Sequence, residues 1–142
     1  MNEHSEQKTY TIGDVAERTG MSVHALRYYE RMELLLTPVD RSPSGRRVYT
    51  PADLEWLHVC VRLRESGMPL TELQRFASLV RQGPGNEHDR LRILDDHRAR
   101  VDAQIRALEE CREVIDWKTK VYAAHVADGS SAGLWDRQPG TV

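Results

Sequence analysis

The sequence predicts a mainly α-helical fold, an N-terminal winged helix-turn-helix followed by a long C-terminal helix that pairs in a dimeric coiled coil. Three observations predict it. Two short amphipathic stretches are split by a tight turn containing Gly20, the spacing of a helix-turn-helix. A turn-rich segment carrying Arg41, Arg46 and Arg47 follows at 37–49. Beyond Gly85, apolar residues recur at every seventh position, as in a coiled coil.

The elements follow in order. Residues 1–8 are polar and are expected to be flexible. Thr11 can cap a first helix with Asp14 at its third position, and Ile12, Val15 and Ala16 give an apolar stripe that ends at Gly20. Ser22 caps the second helix, Val23 to Glu30. There Val23 and Leu26 can face the first helix, leaving His24, Arg27 and Tyr28 outward. At 37–49, Pro38, Pro43, Ser44 and Gly45 are turn residues flanked by Val39 and Val48-Tyr49, the pattern of a hairpin. A basic hairpin after a helix-turn-helix reads as a wing.

Thr50-Pro51-Ala52-Asp53 starts a further helix, with a cap, proline at the first position and an acid at the third. It runs to Ser66-Gly67. Another covers about 70–82, with Leu73, Phe76, Ala77 and Val80 at helical spacing, and Gly83-Pro84-Gly85 breaks it. The long helix then spans 87–126. Leu94, Val101, Leu108, Ile115 and Tyr122 recur every seven residues and are the expected dimer interface. Leu91 to Tyr122 spans roughly 46 Å at about 1.5 Å per residue, too long for one small domain to cover, so a second copy is the natural cover. The organisation expected is a flexible start (1–8), a winged helix-turn-helix domain (9–82), a coiled-coil helix (87–126) and a flexible tail (127–142).

Composition bounds the function classes. The 142 residues are 30% charged and 39% hydrophobic, a helix-rich and folded balance. Net charge is -2, and residues 1–82 hold 11 Lys+Arg against 11 Asp+Glu. Overall charge therefore gives no support to nucleic-acid binding, and local charge must carry it. The chain shows no signal peptide and no membrane-spanning run, and Cys60 and Cys111 form no CxxC, which points to a reducing cytoplasm. No nucleophile elbow, P-loop or dinucleotide loop is present, so the chain reads as no enzyme. Asp95-Asp96-His97 looks like a cluster, but neighbours on a helix point about 100° apart, and a solvated face is expected.

Arg27-Tyr28-Tyr29-Glu30 suits DNA. An arginine brings a charged fork, and a tyrosine hydroxyl can donate to phosphate. The plainer alternative places Tyr29 in the core and pairs Arg27 with Glu30. Together with Tyr10-Thr11-Ile12-Gly13-Asp14-Val15-Ala16, Gly20-Met21-Ser22-Val23, Gly45-Arg46-Arg47-Val48-Tyr49 and Ser66-Gly67-Met68-Pro69-Leu70, this string resembles the MerR family of regulators. The resemblance covers residues 10 to about 126.

It implies a homodimer joined by an antiparallel coiled coil. That dimer sits on double-stranded promoter DNA and distorts it so that RNA polymerase can use it. It implies DNA contacts at Arg27, Tyr28 and Tyr29, and at Arg47 and Tyr49 in the wing. Arg46 adds a charge where a tyrosine is usual, and His24 lies on the early turn that reads base edges. Glu33 stands where a glycine usually follows the recognition helix. The C-terminal half is similar to the NmlR/AdhR-like branch, which implies a response to aldehydes or other electrophiles, or to a small-molecule effector.

In that branch the sensing thiol falls at position 62, here arginine. Cys60 is then a candidate redox sensor about 200° around the helix, near Trp56 and Leu57, with burial as its default state. Cys111 lies near the coiled-coil seam. No paired cysteines follow it and no histidines cluster, so neither a metal nor a cofactor is expected. Only 16 residues follow Val126, too few for a large effector-binding domain. The competing reading is a winged-helix and coiled-coil protein-interaction module without its own operator, argued by the balanced charge.

Overall fold

The computed structural model describes residues 8–129 together with Leu134 and Trp135. Most of the expected flexible start and tail thus lies outside the described residues. The elements are β1 (Tyr10–Thr11), α1 (Ile12–Thr19), α2 (Val23–Arg31), β2 (Asp40–Arg41), β3 (Arg47–Tyr49), α3 (Pro51–Glu65), α4 (Leu70–Arg81) and α5 (Glu87–Asp128).

Local chemistry accounts for the boundaries. Thr11 and Asp14 form a reciprocal capping box at α1, and Thr50 and Asp53 form a second at α3 with Pro51 behind the cap. Gly20 closes α1 in the left-handed conformation, φ 76°, and Ser22 accepts from the Ala25 amide to start α2. The two helices are thereby set three residues apart with a fixed turn.

The chain divides into two compact units, one ending at Arg98 and the other beginning at Ala99. In the first, Val15, Leu26, Leu34, Tyr49, Leu57, Cys60, Met68 and Leu73 are the largest fully buried side chains. Trp56 stacks on Phe76, with ring centroids 5.8 Å apart, and donates to the Leu34 carbonyl at 2.8 Å. Three short strands lie in the order β1-β3-β2, both pairs antiparallel. β1 is absent from the sequence reading. It is two residues long, and only its pairing with the wing, Tyr10 to Tyr49 and Thr11 to Val48, makes it a strand.

The first turns of α5 belong to the first unit, and Ile93 and His97 bury one face, spaced i, i+4. The expectation of a solvated Asp95-Asp96-His97 face is corrected for its histidine. His97 is 4% exposed, and its Nε2 lies 2.7 Å from Ser66 Oγ at the end of α3. Asp95 and Asp96 stay exposed.

In the second unit the heptad face of α5 has little cover from its own chain. Leu108 is 69% and Ile115 62% exposed. Trp135 packs edge-on against Tyr122, and the Lys118 ammonium lies over both the Trp117 and Trp135 rings. No helix among the described residues is long and apolar enough to cross a membrane.

Candidate nucleic-acid interface

The site is built from the outer face of α2, the wing and the start of α1. The α1–α2 packing buries Leu26 and Val15, which turns His24 and Arg27 to solvent and leaves Tyr28 half-buried. Arg31 is also exposed on α2, with its guanidinium 5.9 Å from the Tyr28 ring centroid. Sequence reasoning missed Arg31, although its place four residues after Arg27 puts both on one face.

The wing is a tight hairpin. Asp40 pairs with Val48 and Arg41 with Arg47, and the turn closes through Gly45, φ 81°, whose amide donates to the Ser42 carbonyl at 2.8 Å. Arg41 folds back to donate to the Gly45 carbonyl at 3.1 Å, while Arg46 projects into solvent.

An open cleft of about 360 Å³ gathers these parts, lined by Thr11, Ile12, Gly13, Arg27, Gly45, Arg46 and Arg47. The first amides of a helix have no partner within it and carry the positive end of its dipole. Thr11 and Asp14 satisfy each other in the capping box, and Ile12 and Gly13, the first two residues of α1, line the cleft. Arginines and helix-start amides around one space are the chemistry of an anion site.

Three of the expected contacts are placed differently. Tyr29 is 7% exposed and belongs to the core, which is the plainer alternative above. Tyr49 is fully buried, because β3 turns it under the wing beside β1. Its hydroxyl has no hydrogen-bond partner among the described residues. Burial pushes the Tyr49 hydroxyl above its ordinary pKa, and the nearby Glu30 carboxylate adds to the rise. Arg47 borders the cleft, but its Nε is 2.5 Å from a Glu30 carboxylate oxygen. Glu30 thus pairs with Arg47, and not with Arg27 as that alternative had it.

The thiols separate as well. Cys60 is fully buried beside Trp56 and Leu57, and burial pushes its pKa up to about 12. A redox role needs an accessible thiolate, so this burial favours the default packing role of Cys60 over that of a sensor. Cys111 is exposed. Among the described residues no group of three His, Cys, Asp or Glu side chains could hold a metal ion.

Comparison with known proteins bears on this site. Residues 10–79 match the MerR HTH family regulatory protein description, and residues 54–117 match a second, MerR, DNA binding. An HTH-type transcriptional regulator of Haemophilus influenzae, itself uncharacterized, is 34% identical over 122 residues, 86% of this chain and 90% of that protein. The chain belongs to the MerR family. Family members are DNA-binding transcriptional regulators, not enzymes.

This MerR-family chain also resembles the regulator AdhR of Bacillus subtilis, 34% identical over 90 residues, 63% of this chain and 64% of AdhR. Among solved structures, HiNmlR, a MerR family regulator lacking the sensor domain and bound to promoter DNA, superposes with a TM-score of 0.82. The match is at 31% identity over 90% of this chain and 96% of that one. A MerR-family regulator from Bacillus thuringiensis superposes at 0.71, with 26% identity, 81% of this chain and 100% of that one. The likeness to the NmlR/AdhR branch drawn from the sequence agrees with these relatives.

Proposed function

We propose that this MerR-family regulator binds its operator as a homodimer, with α2 in the major groove and the wing on the flanking backbone. His24 reaches base edges. Arg27, Tyr28 and Arg46 meet phosphates, and the cleft at the start of α1 takes one phosphate group. The single observation that carries the reading is that cleft, where Arg27, Arg46 and the Ile12 and Gly13 backbone converge. The promoter DNA bound by HiNmlR supports it, since that regulator aligns over nearly its whole length.

The domain organisation follows the same reading: a winged helix-turn-helix over 9–82, a dimerising helix over 87–126 and a tail over 127–142. The exposed Leu108 and Ile115 on the heptad face call for a second copy of α5. Two operator-bound domains held at a fixed spacing can bend or untwist the promoter between them and so present it to RNA polymerase. The sequence resemblance to the NmlR/AdhR-like branch supports a response to aldehydes or to a small-molecule effector, by a route other than the buried Cys60 thiol.

The test is a gel shift on the DNA upstream of the chain's own gene, with an Arg27→Ala, Arg46→Ala double variant. Loss of the sequence-specific shift in the variant is expected. Undiminished binding would refute this DNA face. No specific shift by the wild type would favour the protein-interaction module instead.

A further inference from the structure

The geometry points to Glu30 and Arg47 as a strut that fixes the wing against the recognition helix, with Arg47 acting as a positioning residue and not as a phosphate contact. The inference rests on the operator-binding reading and deepens it. Glu30 is the next-to-last residue of α2, and Arg47 is the first residue of β3. The pair closes at 2.5 Å across 17 residues of sequence, and both side chains are mostly shielded, 24% and 28% exposed. Tyr49 lies two residues on, on the same face of the strand, fully buried, so a rigid ring backs the pair.

The neighbouring cation behaves otherwise. Arg46 is exposed at the hairpin turn and has no ion-pair partner among the described residues. The wing therefore divides its arginines between two tasks. Arg46 is presented to the backbone of DNA, and Arg47 holds the hairpin at the distance from α2 that lets both elements meet the duplex at once. A two-residue β2 and a three-residue β3 have little pairing of their own, so this tie has a large share in setting the angle of the wing.

Simple electrostatics and the strut make opposite forecasts for Glu30. Removing a carboxylate from a DNA-binding face should tighten binding if only charge matters. Removing one end of a strut should weaken it. The experiment measures operator affinity and its salt dependence by fluorescence anisotropy on the upstream DNA for the wild type, Glu30→Ala, Arg47→Met and the reciprocal Glu30→Arg, Arg47→Glu double variant. Thermal melts of each variant check folding, and Glu30→Asp, which keeps the charge and shortens the reach, serves if Glu30→Ala does not fold.

The strut expects Glu30→Ala (or Glu30→Asp) and Arg47→Met each to weaken specific binding about tenfold. It expects the Arg47→Met salt slope to stay at the wild-type value and the reciprocal variant to recover most of the affinity. Unchanged or tighter binding by the Glu30 variant overturns the strut. So does a fall in the Arg47→Met slope of about 1.8, the value of one phosphate contact in each protomer of the dimer, or a reciprocal variant no better than Arg47→Met. Failure of the wild type to bind would instead overturn the operator-binding reading itself.

Discussion

Thiol labelling separates a packing cysteine from a sensing one. Cys60 has no exposed surface, and burial raises its pKa from 9.0 to about 12. At pH 7.5 its thiolate fraction is then about a thousandfold below that of an ordinary thiol, because each unit of pKa costs a factor of ten. Cys111, exposed on α5 of the single chain, provides an internal comparison when the reaction is run on the Leu108→Asp, Ile115→Asp variant, in which no second copy covers the seam. Stopped-flow reaction with a disulfide reagent should show one fast and one slow thiol. Cys111→Ser should remove the fast phase and Cys60→Ser the slow one, with the two rates at least a thousandfold apart. The direction with pH follows. A thiol whose pKa is raised by folding stays protonated in the native state while the unfolded chain ionises, so its contribution to stability is intact below about pH 9 and is lost as pH rises toward 12. Labelling of Cys60 within tenfold of Cys111, or loss of an aldehyde response in Cys60→Ser alone, would refute the packing role.

Glu33 has φ 55°, in the left-handed region that costs a side-chain-bearing residue about 1–2 kcal/mol. After the added chain entropy of glycine, Glu33→Gly should stabilise by roughly 0.5–1 kcal/mol. Glu33→Ala should not, which denaturant unfolding at fixed protein concentration can check. Leu108→Asp with Ile115→Asp places charges on the exposed heptad face and forfeits roughly 1.5–3 kcal/mol per side chain in a dimer. Sedimentation should find a monomer with weakened operator binding. Asp14 is held below the usual carboxylate range chiefly by the Thr11 backbone amide. Its capping contribution is therefore present at neutral pH and lost as pH falls, and Asp14→Ala should flatten the acid limb of the stability profile.

Legibility in the sequence tracked the range of the interaction. The capping boxes at Thr11–Asp14 and Thr50–Asp53 and the left-handed Gly20 are decided within four residues, and each was readable in order. Glu33, out of place beside the family pattern, does take the conformation that a glycine would favour. What escaped was set by distant partners. Tyr49 alternates inward only because β3 pairs with β1, and Arg47 is engaged because Glu30 reaches it across 17 residues. His97 is buried because Ile93, one turn earlier, turns the same face of α5 inward, while attention to Asp95 and Asp96 suggested a solvated cluster. The outward set of His24, Arg27 and Arg46 was legible, since helical and hairpin periodicity alone separates these residues from the core.

The claim that Arg27 and Arg46 meet DNA phosphates is tested most directly by the salt dependence of operator affinity. Each phosphate contact adds about 0.9 to the slope of log K against log salt, so the Arg27→Ala, Arg46→Ala dimer, lacking two contacts per protomer, should show a slope smaller by roughly 3 to 4 than the wild type. An unchanged slope would contradict the account and move the DNA-binding surface elsewhere on the molecule.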